Sequence, residues 1–113
     1  MKRPLELLKH IRDECRYLLN AVEGLEYKSF VADETLKRSF VRSLEIIGEA
    51  SRNMPEDFRK IHPNVEWKAM AGMRDILVHS YFGVDYLIVW DVVSNHVPKL
   101  STQIEAIIES EKK

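Results

Sequence analysis

The stretch LKHIRDECRYLLNAV, residues 8–22, decides the fold class of this chain. The apolar residues that recur in it at spacings of 3, 4, 3 and 4 are Leu8, Ile11, Cys15, Leu18 and Val22. That spacing places them on one face of an α-helix. Pro4 suits the first turn of this helix, where a missing N–H costs nothing, and Gly24 suits its end. The sequence therefore predicts a first helix over residues 4–22.

Three more helices follow from the same apolar spacing, with expected ranges of 33–53, 65–80 and 85 to about 108. The expected N-caps are Asp33 or Thr35, Asn64 and Asp85, because short polar side chains accept hydrogen bonds from the first free backbone amides of a helix. Pro98 is expected to kink or break the last helix, since its ring removes one backbone hydrogen bond. The connector before the third helix has room for one short helical turn at Glu56–Lys60.

Strands are not expected, because few segments alternate between apolar and polar residues. Four helices with short connections predict an all-α, up-and-down four-helix bundle that occupies residues 1–113 as a single domain. The core-facing residues expected on the third helix are Trp67, Met70, Ile76 and Leu77. Gly48, in the middle of the second helix, is expected to allow close packing of a neighbouring helix.

The overall charge restricts the kinds of partner. A formal net charge of −1 argues against a broad nucleic-acid-binding surface, because counterion release requires many basic contacts, although it permits a local basic site. The single cysteine, Cys15, cannot form an internal disulfide and favours a reducing compartment. No apolar run reaches the length of a signal peptide or a membrane span. These features predict a cytoplasmic protein without a membrane partner.

The segment Arg74-Asp-Ile-Leu-Val-His79-Ser-Tyr81 carries the chemistry that the sequence suggests. An arginine that stays protonated lies close to a histidine that titrates near neutrality. Such a pair suits reactions at a phosphodiester, where negative charge must be held while a proton moves. The alternative is a salt-bridging surface arginine and a histidine at the end of a helix.

Helical geometry separates the two side chains of this motif. Five residues rotate His79 from Arg74 by about 140° and separate the two by about 7.5 Å along the axis. A working site therefore needs a helix that loosens near His79 or a second copy of the motif opposite the first. A twofold homodimer would supply that second copy. Asp75 could hold the arginine guanidinium, orient a histidine of the partner, or be an exposed helical acid.

The segment Ala71-Gly-Met-Arg-Asp-Ile-Leu-Val-His-Ser-Tyr-Phe-Gly-Val-Asp85, with Ile88-Val-Trp90 after it, closely resembles the HepT-like branch of the HEPN family. The upstream Ile46-Ile-Gly-Glu-Ala50 and the segment around Trp67 are similar to that branch too, so the resemblance covers nearly the whole chain. It implies a small helical bundle that dimerises with its arginine–histidine motifs at the interface. It also implies a metal-independent endoribonuclease that serves as the toxin of a toxin–antitoxin pair and cleaves RNA, either tRNA or mRNA.

The resemblance also assigns roles to residues. Arg74 would bind the scissile phosphate, and His79 would act as general acid or base, with the ribose 2′-hydroxyl as nucleophile, so that DNA is spared. Asp75 stands where the family often has asparagine. The partner implied is a nucleotidyltransferase antitoxin of the MntA type, which would attach AMP to Tyr81, and no cofactor is implied. The rival hypothesis is a non-catalytic helical subunit that binds a nucleotidyltransferase.

Other polar residues are weaker candidates for a site. No metal site is expected, because His10, His62 and His96 show no two-histidine ligand spacing. Glu49 could approach the active site or could serve in a cap or face solvent. The basic residues Lys37, Arg38 and Arg42 are interpreted as a solvated helix face rather than an RNA track. Phe82 and Trp90 are expected to be core or dimer contacts, not platforms for base stacking.

Overall fold

All regular secondary structure in the described part of the chain is helical. The computed structural model describes residues 3–78 and 83–112, apart from the side chain of Val78, and these residues contain no strand. In chain order the helices are α1 (Pro4–Val22), α2 (Tyr27–Ala32), α3 (Glu34–Asn53), α4 (Glu56–Ile61), α5 (Trp67–Val78), α6 (Tyr86–Asp91), a π-helical segment (Val92–His96) and α7 (Val97–Glu111). The predicted all-α fold class is confirmed. None of the described helices is both long enough and apolar enough to cross a membrane.

The apolar face of α1 lies in the core as its spacing predicts. Leu8, Ile11, Cys15 and Leu18 are all fully buried. This face packs mainly against α3 and α7, and α3 packs in turn against α5. Because α3 contacts both α1 and α5, the outer surface between these three helices is where polar residues from all of them can meet.

Two of the three predicted N-caps are confirmed. A carboxylate oxygen of Asp33 accepts a hydrogen bond from the backbone N–H of Leu36 at 3.0 Å. Asp85 accepts bonds from the N–H groups of Leu87 and Ile88, at 3.0 and 3.4 Å. Each bond satisfies an amide that has no partner inside its helix.

The third predicted cap is wrong. The helix begins at Trp67 rather than Val65, so Asn64 lies too far before it to act as the N-cap. Instead, the backbone carbonyl of Asn64 accepts a hydrogen bond from Nε2 of Gln103 on α7 at 2.9 Å. The indole N–H of Trp67 donates to the carbonyl of His62 at 3.0 Å, which closes the connector against the start of α5.

Of the two short helices, α4 confirms the expected turn at Glu56–Lys60, whereas α2 was not predicted. α2 spans only 6 residues, too few to show a helical period. It is held in place by Phe30, which is fully buried against the rings of Phe40 and Trp90, at centroid distances of 4.8 and 5.3 Å. Trp90 is thus a core contact, as expected, while Phe82 lies outside the described residues.

The last long helical stretch is interrupted where proline predicts it. Regular α-helix ends at Asp91, the π-helical segment follows, and α7 begins at Val97 with Pro98 in its first turn. Pro98 cannot donate to the carbonyl one turn earlier, and a wider turn before it accommodates that missing bond. The predicted irregularity near Pro98 is confirmed.

One expected core residue is exposed. Trp67, Met70 and Leu77 are buried as predicted, but the side chain of Ile76 is 54% exposed. Ile76 precedes Leu77 by about 100° of helical rotation, so burying one turns the other toward solvent. Leu87 and Ile88 at the start of α6 are also exposed.

Candidate functional site

The side chain of Arg74 lies at the outer edge of the packing between α3 and α5. It is 42% exposed, and its Nη1 atom lies 3.9 Å from Oε2 of Glu49 on α3. The other carboxylate oxygen of Glu49 accepts a hydrogen bond from Nδ2 of Asn53 at 3.4 Å. Glu49, which is bonded to Asn53, therefore lies beside a guanidinium that solvent and ligands can still reach.

The close approach of α3 and α5 at Gly48 sets the position of Arg74. A Cβ atom at position 48 would lie 2.9 Å from the backbone oxygen of Met70 and 3.5 Å from Cβ of Arg74. Only glycine lets the two helices come this close without displacement. The expectation that Gly48 serves helix packing is confirmed, and this packing brings Glu49 within reach of Arg74.

A second ion pair joins the same two helices. Nη2 of Arg52 on α3 lies 3.6 Å from Oδ1 of Asp75 on α5. Both side chains are about half exposed, so the pair contributes little to stability. It does hold Asp75 toward α3. In this pair the arginine is on α3 and the acid on α5, the reverse of the pair of Glu49 and Arg74.

The remaining residues of the motif lie outside the described part of the chain. These are His79 and Tyr81, together with Ser80 between them. α5 is described through Val78, so the placement of His79 and Tyr81 relative to Arg74 stays a prediction.

A cleft of about 640 Å³ opens beside Arg74. Its lining residues come from three helices: Leu7 and His10 of α1; Arg42, Glu45, Ile46, Glu49, Ala50 and Asn53 of α3; and Arg74 of α5. Its volume falls in the range typical of ligand sites, which is about 300–1,000 Å³. Apolar side chains form part of the wall, and both cationic and anionic groups line the cleft.

The sequence predicts the roles of three cleft residues to different extents. Glu49 is predicted either to approach the active site or to serve in a cap or face solvent, and it lies half-exposed beside Arg74. His10 and Arg42 are predicted as a scattered histidine and part of a solvated face, yet both line the cleft. The helical spacing of the α3 residues indicates that they share one face of the helix; these are residues 42, 45, 46, 49, 50 and 53. Only the packing of the helices shows that α1 and α5 border this face.

The basic residues Lys37 and Arg42 in the first half of α3 have different surroundings in the structure. Nζ of Lys37 lies 3.0 Å from Oε1 of Glu34 and 4.8 Å from the centroid of the Tyr86 ring. Arg42 instead faces the cleft. Within the described residues, no group of three or more His, Cys, Asp and Glu side chains could hold a metal ion.

Comparison with known proteins places this chain in a family of ribonucleases. The family model described as "Ribonuclease HepT-like" matches residues 7–107. The chain belongs to the HepT-like ribonuclease family. The resemblance of the chain to this family and the predicted class of endoribonucleases are thereby confirmed.

Several relatives are similar over nearly the full chain. A protein named "Putative RNase" from Caldanaerobacter subterraneus subsp. tengcongensis is 49% identical over 112 residues, covering 99% of this chain and 100% of the relative. A "Probable ribonuclease HepT" from Thermococcus cleftensis is 43% identical over 103 residues, covering 85% and 94%. A "Putative RNase" from Methanocaldococcus jannaschii is 39% identical over 100 residues, covering 88% and 92%. No solved structure shows a significant match to the chain.

Proposed function

We propose that this protein is a metal-independent endoribonuclease toxin that cleaves tRNA or mRNA in the cytoplasm at a composite site of a homodimer. The observation that carries the proposal is the half-exposed guanidinium of Arg74, held by Glu49 at the edge of a cleft. Arginine binds phosphate oxygens through planar, charge-assisted hydrogen bonds. Membership in a ribonuclease family makes RNA the phosphodiester substrate to test.

In the proposed reaction, the ribose 2′-oxygen attacks the adjacent phosphorus while the bond to the 5′-oxygen of the next nucleotide breaks. One proton leaves the 2′-hydroxyl and one is delivered to the leaving oxygen. His79 acts as general acid or base in these transfers, and Arg74 holds the phosphate and the charge that develops on it. The products are a 2′,3′-cyclic phosphate and a free 5′-hydroxyl. DNA, which lacks the 2′-hydroxyl, is not cut.

A second copy of the chain completes the proposed site. In a regular helix, the five positions from Arg74 to His79 would turn the two side chains apart, and a partner motif opposite would bring an arginine and a histidine together again. A reason for association comes from three large exposed apolar side chains, namely Ile76 within the motif on α5 and Leu87 and Ile88 on α6, the next helix of the chain. We propose that they lie in the dimer interface.

The proposed regulator is a nucleotidyltransferase antitoxin of the MntA type that attaches AMP to Tyr81. The family resemblance supports this partner and this modification. An AMP group close to the active site would add bulk and negative charge where the RNA phosphate must enter, which explains how it would silence the toxin.

The first test is cleavage of total tRNA by the purified protein in the presence of a metal chelator. Wild-type protein and Lys68→Ala are expected to cleave, whereas Arg74→Ala and His79→Ala are not. Lys68 is a matched control, since it is an exposed cation of the same helix that lines a different groove. Equal cleavage by wild type and Arg74→Ala would overturn the proposal.

Absence of cleavage by the wild-type protein, combined with tight binding to a nucleotidyltransferase, would instead support the non-catalytic interaction subunit.

A second assay tests the proposed attachment of AMP to Tyr81. Incubation with an MntA-type nucleotidyltransferase and ATP should add one AMP unit to the peptide that contains Tyr81, and Tyr81→Phe should remain unmodified. Modification at another residue would contradict the assignment.

A further inference from the structure

The cleft beside Arg74 contains charged groups that the proposed reaction does not use. Within the described residues, Arg42, Glu45 and His10 make no ion pair or side-chain hydrogen bond, although all three line the cleft. Glu49 differs from Glu45, because its carboxylate is already engaged by Arg74 and Asn53. The cleft therefore offers one arginine, one carboxylate and one imidazole to a ligand.

The two arginines of the cleft are attached at different levels along α3, Arg42 directly and Arg74 through its contact with Glu49. Arg42 precedes Glu49 by seven residues on α3, which corresponds to about 10 Å along the helix axis. Glu49 is the residue that contacts Arg74. A ligand with two phosphate groups separated by a nucleoside matches this arrangement better than a single small anion does.

The acidic lining narrows the choice of ligand further. A carboxylate repels phosphate, so a simple anion gains little from a site that contains Glu45. A nucleotide combines a negative phosphate with a base, and the amino groups of adenine, cytosine and guanine donate hydrogen bonds that a carboxylate accepts. His10 on α1 also lines the cleft, and unstacked RNA bases stack on histidine rings as they do on other aromatic side chains.

We propose that this cleft binds the nucleotide next to the scissile phosphate. Arg42 holds the phosphate on the far side of that nucleotide, Glu45 accepts a hydrogen bond from an amino group of its base, and His10 stacks on the base. The assignment rests on the proposed function, because it takes Arg74 to hold the scissile phosphate. It adds a preference for bases that carry an amino group over uracil.

The test uses binding of single-stranded 2′-O-methyl oligocytidine and oligouridine of equal length, which cannot be cut by attack of the 2′-oxygen. Fluorescence anisotropy at a series of salt concentrations gives the affinity and its salt dependence. Arg42→Ala is expected to weaken binding about fivefold or more and to reduce the slope of log affinity against log salt by about 0.7, the value for one phosphate contact in a single strand.

The matched controls are Arg38→Ala, an exposed arginine one turn earlier on α3 that does not line the cleft, and Arg42→Lys, which keeps the charge. Both are expected to keep the wild-type slope. If Arg42→Ala keeps it as well, Arg42 does not contact phosphate and the assignment is overturned. Circular dichroism establishes that each variant is folded.

The role of Glu45 has its own readout. Wild-type protein is expected to bind oligocytidine about fivefold or more tightly than oligouridine, because only cytosine has an amino group at that edge. Glu45→Gln should bring this ratio close to one without changing the salt slope. Equal binding of both oligonucleotides by the wild type would overturn the proposed base contact.

Failure of this inference can be distinguished from failure of the proposed function. If tRNA cleavage requires Arg74 while Arg42→Ala shows the wild-type salt slope, only the nucleotide subsite is refuted. If Arg74→Ala cleaves as the wild type does, Arg74 does not hold the scissile phosphate, and both proposals fail.

Discussion

Gly48 of α3 packs directly against the backbone of Met70 of α5, since a Cβ atom on Gly48 would lie 2.9 Å from the backbone oxygen of Met70. One turn after Met70, Arg74 projects past the same glycine toward Glu49. The contact between two backbones therefore sets the distance between the two side chains at the edge of the cleft.

Gly48→Ala is expected to destabilise the protein. The added methyl group meets a backbone oxygen, which cannot rotate away, so the helices must separate at a cost of about 1–3 kcal/mol. The higher helix propensity of alanine offsets about 1 kcal/mol of that cost. Urea unfolding measures the net loss. Gly72→Ala on α5 is the matched control, because a Cβ there meets nothing within 4 Å, and it should gain up to about 1 kcal/mol. Equal effects of the two substitutions would contradict this account.

Glu49→Gln is expected to lower RNA cleavage more than stability. The ion pair with Arg74 is half exposed, so its loss should cost no more than about 1 kcal/mol in the free energy of unfolding. A guanidinium that is no longer held in place should lower kcat by about tenfold to a hundredfold. Single-turnover cleavage and thermal unfolding separate the two effects. An unchanged kcat would show that Glu49 does not position Arg74.

Ile76→Glu is expected to convert a dimer into a monomer. A carboxylate in an apolar interface loses its hydration without gaining a partner. Sedimentation velocity at low micromolar concentration measures the mass. Ile61→Glu is the control, since Ile61 is 68% exposed but lies on α4, which carries no part of the motif or of the proposed interface. A monomeric wild-type protein would refute the composite site, and a dimer that survives Ile76→Glu would move the interface elsewhere.

The stability of the protein is expected to fall in alkaline solution through Cys15. Burial, with smaller contributions from Glu105 and Glu14, raises the pKa of the Cys15 thiol from 9.0 to about 12. Above pH 9 the unfolded chain loses this proton while the folded chain keeps it, so the unfolded state binds fewer protons and stability decreases as pH rises. The loss approaches about 1.4 kcal/mol per pH unit between pH 9 and 12.

Cys15→Ala removes this titration and provides the comparison. The difference between the unfolding free energies of wild type and Cys15→Ala should be constant below pH 9 and change steadily above it. In addition, native wild-type protein should react with a thiol reagent at pH 8 only as fast as it unfolds. Rapid labelling of the folded protein would contradict the burial of Cys15.

The residues of α1 show how much of the fold local sequence predicts. Leu8, Ile11, Cys15 and Leu18 mark a buried face by spacing alone, since the helical period repeats within a few residues. The caps at Asp33 and Asp85 are equally local, because the capping oxygen and the amide lie two or three residues apart. The cap predicted at Asn64 is wrong because α5 begins only at Trp67, and the bond from Gln103 to the Asn64 carbonyl is a long-range contact that local spacing does not predict.

The amino-acid sequence by itself determined the helical class, the boundaries of α1 and α3 to within a residue or two, and the motif that contains Arg74. Only the tertiary structure decided that Glu49 lies against Arg74, that Arg42 and His10 border the same cleft, and that Ile76 faces outward. The physical reason is that helix formation depends on neighbours one turn away. Contacts between helices depend instead on how close two backbones can come, and here Gly48 and Met70 set that limit.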